Sequence, residues 1–178
     1  MFDHVVEGMF HRAIGKRLSS AGREKLKAAG LDLSKPLRPA YPMNEYFGFL
    51  EIAARDLYPD KSIAEGMYAL GAGFLDGYLD TLMGRAILNL AKLLGPARAL
   101  RRSTHTWRQG NNFTEVEVVE RDPQHFELRF NIVGPWPEHT QGALAGALAV
   151  NQDLEIDVKI LERVGEGAVY GVSWKKKR

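Results

Sequence analysis

Asp76 and Asp80 stand one helical turn apart. That spacing can set two carboxylates side by side for general acid–base work. Tyr78 lies between them and Arg85 follows, so the same stretch supplies a phenol and a guanidinium that could line a pocket. The plainer reading is a solvated acidic face, with Tyr78 packing and Arg85 paired to Asp76 or Asp80. Glu115 is a third candidate carboxylate, at the end of the segment W-R-Q-G-N-N-F-T-E, residues 107–115. Gly and Asn tolerate positive φ there, and Asn or Thr side chains bond local backbone. The segment is therefore read first as a helix stop and strand start. The second reading turns Asn111, Asn112, Thr114 and Glu115 toward a ligand or partner at the rim of a sheet.

Other chemistry is thin. The chain has 178 residues and 0 cysteines, which excludes disulfides, thiolate zinc sites and cysteine nucleophiles. It contains neither a G-x-S-x-G elbow nor a phosphate loop nor a G-x-G-x-x-G turn. His4 and His11 have no third ligand near them in sequence, so no metal site is expected. A non-catalytic role follows as the expectation. Lys175, Lys176, Lys177 and Arg178 form a basic tail, and Arg98, Arg101, Arg102 and Arg108 surround Trp107. Without a DNA-reading motif both groups are read as solvated, and no nucleic-acid partner is expected.

The elements that must position these residues change character near residue 107. Before it, apolar positions recur at helical spacing, first in Val5, Val6, Met9, Phe10, Ala13 and Ile14. A second helix is capped by Ser19 or Ser20 and stops at Ala29-Gly30. Pro36, Pro39 and Pro42 keep the next stretch extended. Asn44 is the expected cap of a helix carrying Tyr46, Phe47, Leu50, Ala53, Ala54 and Leu57. Ser62 and Glu65 form a capping-box pattern that opens a long helix to about Thr81. Further helical runs cover Arg85 to Leu94 and Ala97 to Thr106, separated by Gly95-Pro96.

The helix from Ser62 carries Gly66, Gly71, Gly73 and Gly77. Each costs up to about 1 kcal/mol relative to alanine, so close helix packing or a ligand slot is expected to justify them. The same groove is a natural pocket, lined on this reading by Gly73, Gly77, Tyr78, Arg85, Trp107, Asn111, Asn112 and Glu115.

After Asn112 the period falls to two. Thr114, Val116 and Val118 share one face, and Phe126, Leu128, Phe130 and Ile132 share one on the return strand. An Ala- and Gly-rich helix follows over Glu138 to Val150, then strands marked by Leu154 to Ile160 and by Tyr170, Val172 and Trp174. The predicted fold class is α+β in one domain, 1–178. Its helical part, 1–107, has about five to six helices packed on a four-stranded antiparallel sheet of ββαββ order in 108–178. Asp76, Asp80, Arg85 and Lys92 interrupt the apolar stretch Met67 to Leu94, so no membrane span is expected. With no signal-like N-terminus, a soluble cytoplasmic protein is expected.

The motifs G-M-F-H-R-A (8–13), L-K-A-A-G-L-D-L (26–33), P-A-Y-P (39–42), L-L-G-P (93–96), G-N-N-F-T-E (110–115) and Y-G-V-S-W (170–174) occur in order. In this layout the chain resembles a myxobacterial paralogous family of unknown function. More distantly, helices followed by strand-strand-helix-strand-strand resemble the ligand-binding superfamily of nitric-oxide signalling and Golgi transport. That superfamily holds haem–nitric oxide-binding, four-vinyl-reductase-like and TRAPP-subunit domains. The resemblance implies a regulatory module, dimeric and with a signalling partner, holding a small hydrophobic ligand between helices and sheet. A ligand-free interaction or scaffold module is the alternative. Haem is not expected. The haem branch's axial histidine has no counterpart in Leu90 to Pro96, although His105 lies in the wider neighbourhood. Its Tyr-x-Ser-x-Arg strand motif is replaced by Leu128-Arg129-Phe130-Asn131-Ile132.

Overall fold

The computed structural model describes residues 1–78, 85 and 95–177. Helix α1, Asp3–Val6, continues without a break into a π-helical stretch, Glu7–Ala13. Val5, Val6, Met9 and Phe10 are buried along it, as their spacing predicts. Helix α2, Ser20–Ala28, is capped by Ser19, whose Oγ accepts from the Gly22 N–H at 2.9 Å. Gly30 ends it at φ 104°, a left-handed conformation that glycine adopts at no steric cost.

Helix α3, Met43–Leu57, starts one residue before the expected Asn44 cap. The extended backbone of Pro42 precedes it directly, and the Pro42 carbonyl accepts from the Tyr46 N–H at 3.1 Å. Its buried face carries Tyr46, Phe49, Leu50, Ala53 and Ala54. Helix α4, Ile63–Tyr78, opens on the expected capping box. The Ser62 N–H donates to Glu65 Oε2 at 3.0 Å, and the Glu65 N–H donates to Ser62 Oγ at 3.3 Å. Asp76 and Tyr78 fall on the last turn of α4, whereas Asp80 and most of the run Arg85 to Leu94 lie outside the described residues.

Gly95 has φ 72° and opens a helical run over residues 95–101, and the expected end of the preceding run lies outside the described residues. A turn at Arg102 leads into α5, Ser103–Gly110, which runs past the expected end at Thr106. The stop is set instead by Asn111. Its Oδ1 accepts from the Phe113 and Thr114 N–H groups at 3.1 and 2.7 Å, and its Nδ2 donates to the Trp107 carbonyl at 3.3 Å. The last helical carbonyl, Gly110, accepts from the Phe2 N–H at 3.0 Å.

The second part holds β1 (Val116–Asp122), β2 (His125–Phe130), α6 (Pro137–Leu148), β3 (Leu154–Val164) and β4 (Gly167–Lys176). All neighbouring strands are antiparallel in the order β1-β2-β4-β3, so the α+β architecture of helices on a four-stranded sheet is as predicted. Val116 opposes Phe130, Leu128 opposes Tyr170, and Val158 opposes Val172, which puts the apolar residues on one face. On that face Phe126 stacks on Trp174 at 5.6 Å and Phe130 meets Tyr170 edge-on at 5.3 Å. Both outer strands carry a register shift, β1 between Glu120 and Asp122 and β3 between Ile160 and Glu162.

Helix α6 lies between the sheet and α4. Leu144 and Leu148 join the sheet's core, and Tyr170 Oη donates to the Pro137 carbonyl at 2.9 Å, holding the start of the helix to β4. Toward α4 the backbones nearly touch. A Cβ on Gly71 would overlap the His139 carbonyl, and one on Gly142 would overlap the Tyr68 carbonyl. Gly77 packs in the same way on the backbone of Ala13, at the end of the π-helical stretch. Close packing therefore accounts for Gly71 and Gly77. Among the described residues nothing stands where a Gly73 Cβ would be.

Candidate functional site

The buried apolar residues form two clusters. One joins α1 to α4, and the other joins the sheet to α6 and Leu100. A cavity of about 290 Å³ lies where the two meet. Val5, Tyr46, Phe74 and Leu75 close it on the first side, and Leu100, Trp107, Leu144 and Leu148 on the second. Ala143 and Ala147 leave its floor open, because methyl side chains on that turn of α6 do not fill the gap. Among the described residues the wall holds no strand residue, so α6 separates the space from the sheet. The expected position, directly between helices and sheet, is thus displaced by one helix.

The polar groups of the wall fall into two sets. Arg102, Ser103, His105, Thr106 and Gln109 come from the α5 region. Arg102 and His105 are exposed and Gln109 is half-buried, with His105 Nε2 and Gln109 Nε2 3.0 Å apart. His139, in the first turn of α6, is different. It is 8% exposed, packs edge-on against Tyr46 at 6.5 Å, and its Nε2 has no hydrogen-bond partner among the described residues. Burial pushes its pKa down to about 4, so the ring is neutral near pH 7. A helix N-terminus also disfavours the imidazolium. Burial likewise raises the pKa of the Tyr46 phenol, keeping a second neutral group beside it.

The residues expected to bind a ligand separate in space. Trp107 and Asn111 reach the cavity wall. All three of Asn111's hydrogen bonds go to local backbone, which is the structural role read first from the sequence. Asn112 is exposed. Glu115 is also exposed and pairs with Arg108 at 2.7 Å, while its N–H donates to Asn131 Oδ1 at 2.7 Å. Gly73 and Gly77 are not in the wall, Tyr78 ends α4, and Arg85 is helical and exposed. Sequence reasoning passed over Tyr46, Phe74 and His139. The available signal was the run His139, Ala143, Ala147, which places one imidazole above two small residues on a single helix face.

The fold is that of the H-NOX domains. An oxygen-binding H-NOX domain related to soluble guanylate cyclases matches with a TM-score of 0.71 at 13% identity, covering 100% of this chain and 96% of that one. An H-NOX protein from S. oneidensis in the Fe(II)NO ligation state matches at 0.69 and 11% identity, over 99% of this chain and 100% of that one. The chain itself belongs to a family of proteins of unknown function, DUF2378, which it matches over residues 1–175. No curated protein matches the sequence.

A haem would need an axial donor and partners for its two carboxylates; the described wall offers the imidazoles of His105 and His139. Of the residues there only Arg102 is a permanent cation, against the two carboxylates of a haem. The volume also lies at the lower limit of small-molecule pockets, which run from about 300 to 1,000 Å³. Among the described residues no group of three or more His, Cys, Asp or Glu could hold a metal ion. No helix among them is long and apolar enough to cross a membrane.

Proposed function

We propose that the protein is a non-catalytic, cytoplasmic regulatory module that binds a small, predominantly apolar ligand in the cavity between α4, α5 and α6, without a haem or metal cofactor. The observation that carries this reading is the position of the cavity. Its walls come from both hydrophobic clusters, so a ligand would extend the core across the seam and alter how α4 sits on α6. Such a ligand stabilises whichever arrangement it contacts best, which is how binding becomes a signal. We further propose that the signal passes to a protein partner or across a homodimer.

Native mass spectrometry of the purified chain, beside an Ala147→Phe variant that fills the floor, tests the reading. The wild type is expected to retain a small-molecule adduct from cell extract, or to take up added apolar probes, and the variant to do neither. Equal uptake by both, or none by either, would overturn it.

A scaffold role is the second reading, favoured by Leu161 and Val164, which are 54% and 56% exposed at the end of β3. Lysine at both positions should then abolish partner capture while leaving ligand uptake intact.

A further inference from the structure

Unpartnered buried polar atoms are uncommon in folded proteins, and each costs about 1–3 kcal/mol when left without a hydrogen bond. His139 Nε2 is such an atom, and its ring stands in the wall of the cavity between Tyr46 and Ala143. Arg102, His105, Gln109 and Asn111 do not resemble it. Arg102 and His105 are exposed, Gln109 is half-buried with its amide against His105, and Asn111 is satisfied by backbone. Apart from the buried Ser103 hydroxyl and the Tyr46 phenol, the rest of the deep wall is hydrocarbon or aromatic: Val5, Phe74, Leu100, Leu144 and Leu148.

We propose that His139 is the specificity-determining residue of the cavity, selecting a compact, uncharged, largely apolar ligand that carries one hydrogen-bonding group aimed at the imidazole. This rests on the ligand-binding reading above and adds the chemical class of the ligand. Three features set that class. An engineered hydrocarbon cavity of about 150 Å³ accommodates benzene, so this larger space suits a fused bicycle. A neutral imidazole offers one donor or one acceptor and no charge, so a charged group placed against it would be desolvated without compensation. A largely apolar wall with few polar points orients a ligand without holding it by many bonds.

Indole, benzofuran and indene provide the test, since they share a shape and differ in one atom. Indole donates, benzofuran accepts and indene does neither. Isothermal titration calorimetry is the readout, because indole carries the same fluorophore as Trp107 in the wall and would mask any quenching. The wild type is expected to bind indole or benzofuran, according to the His139 tautomer, about tenfold more tightly than indene. His139→Leu should lose that preference while still binding indene, and His139→Asn should keep part of it.

Equal affinity of all three for the wild type, or a preference that survives in His139→Leu, would overturn the assignment and leave the cavity reading standing. Absence of binding by any of the three would overturn both. Should His139→Leu fail to fold, nitrogen NMR of the wild-type imidazole decides the matter. An imidazole nitrogen must shift with the preferred ligand and not with indene.

Discussion

At the scale of single residues, the protein stores a polar group where hydrocarbon would be cheaper. His139 is neutral in the fold because burial lowers its pKa to about 4 from the ordinary 6.5. The unfolded chain therefore takes up the proton first as the medium is acidified. Stability should be level above about pH 6.5 and fall as the pH drops toward 4, by about 3 kcal/mol in all. Asp32, Glu65, Asp122 and Glu127 have lowered carboxyl pKa values, through hydrogen bonds to Ser34, Ser62, Gln124 and Arg121 respectively. Their contribution is lost only as the pH falls through and below their ordinary values, 4.5 for the glutamates and 3.8 for the aspartates. Urea midpoints measured from pH 7 to 4.5 should fall in the wild type and stay nearly flat in His139→Asn; parallel slopes would refute this account. Asn111 belongs to the same scale. Removing its side chain leaves the Phe113 and Thr114 N–H groups unpaired in a buried turn, so Asn111→Ala should cost about 2 kcal/mol in thermal or urea unfolding.

Among elements, the glycines of α4 divide by what faces them, not by their place in the sequence. Gly71→Ala would drive a methyl group into the His139 carbonyl, where neither backbone can yield cheaply. A loss of about 2–3 kcal/mol is expected, with overpacking outweighing the gain in helix propensity. Gly73 sits two residues later with nothing nearby among the described residues. Gly73→Ala should therefore stabilise the protein by up to about 1 kcal/mol. Paired thermal melts of the two variants check both signs at once. The capping box at Ser62 and Glu65, the Gly30 stop and the strand alternation were all legible, because each depends on residues within a few positions of one another. The extra turn of α5 was not, because its stop depends on Asn111 bonding forward to Phe113 and Thr114 and on Phe2 meeting the Gly110 carbonyl from the far end of the chain. His139 was hidden for the same reason. Its neighbour Tyr46 is distant in sequence, and only the docking of α6 on α4 brings them together.

At the level of the whole molecule, the cavity lies between two hydrophobic clusters that otherwise meet mainly through the α4–α6 contact. A ligand spanning them should raise the melting temperature in proportion to its affinity, by the usual linkage of binding to stability. At a concentration one hundred times Kd the gain is about 2.7 kcal/mol. Calorimetry should show a single sharper transition with ligand, and an unchanged profile in Ala147→Phe. A ligand that shifted only the transition of one cluster would argue against the bridging arrangement.

The bulges in β1 and β3 bear on how copies of the chain can meet. An exposed outer strand offers a row of unmatched amide and carbonyl groups that can recruit another strand. Here each outer strand is thrown out of step by one residue, and β3 also carries Glu155, Asp157 and Lys159. Such interruptions make continuous strand addition unfavourable. Self-association, where it occurs, is therefore steered to side-chain surfaces, and open-ended stacking of sheets into fibres is disfavoured by the same two irregularities.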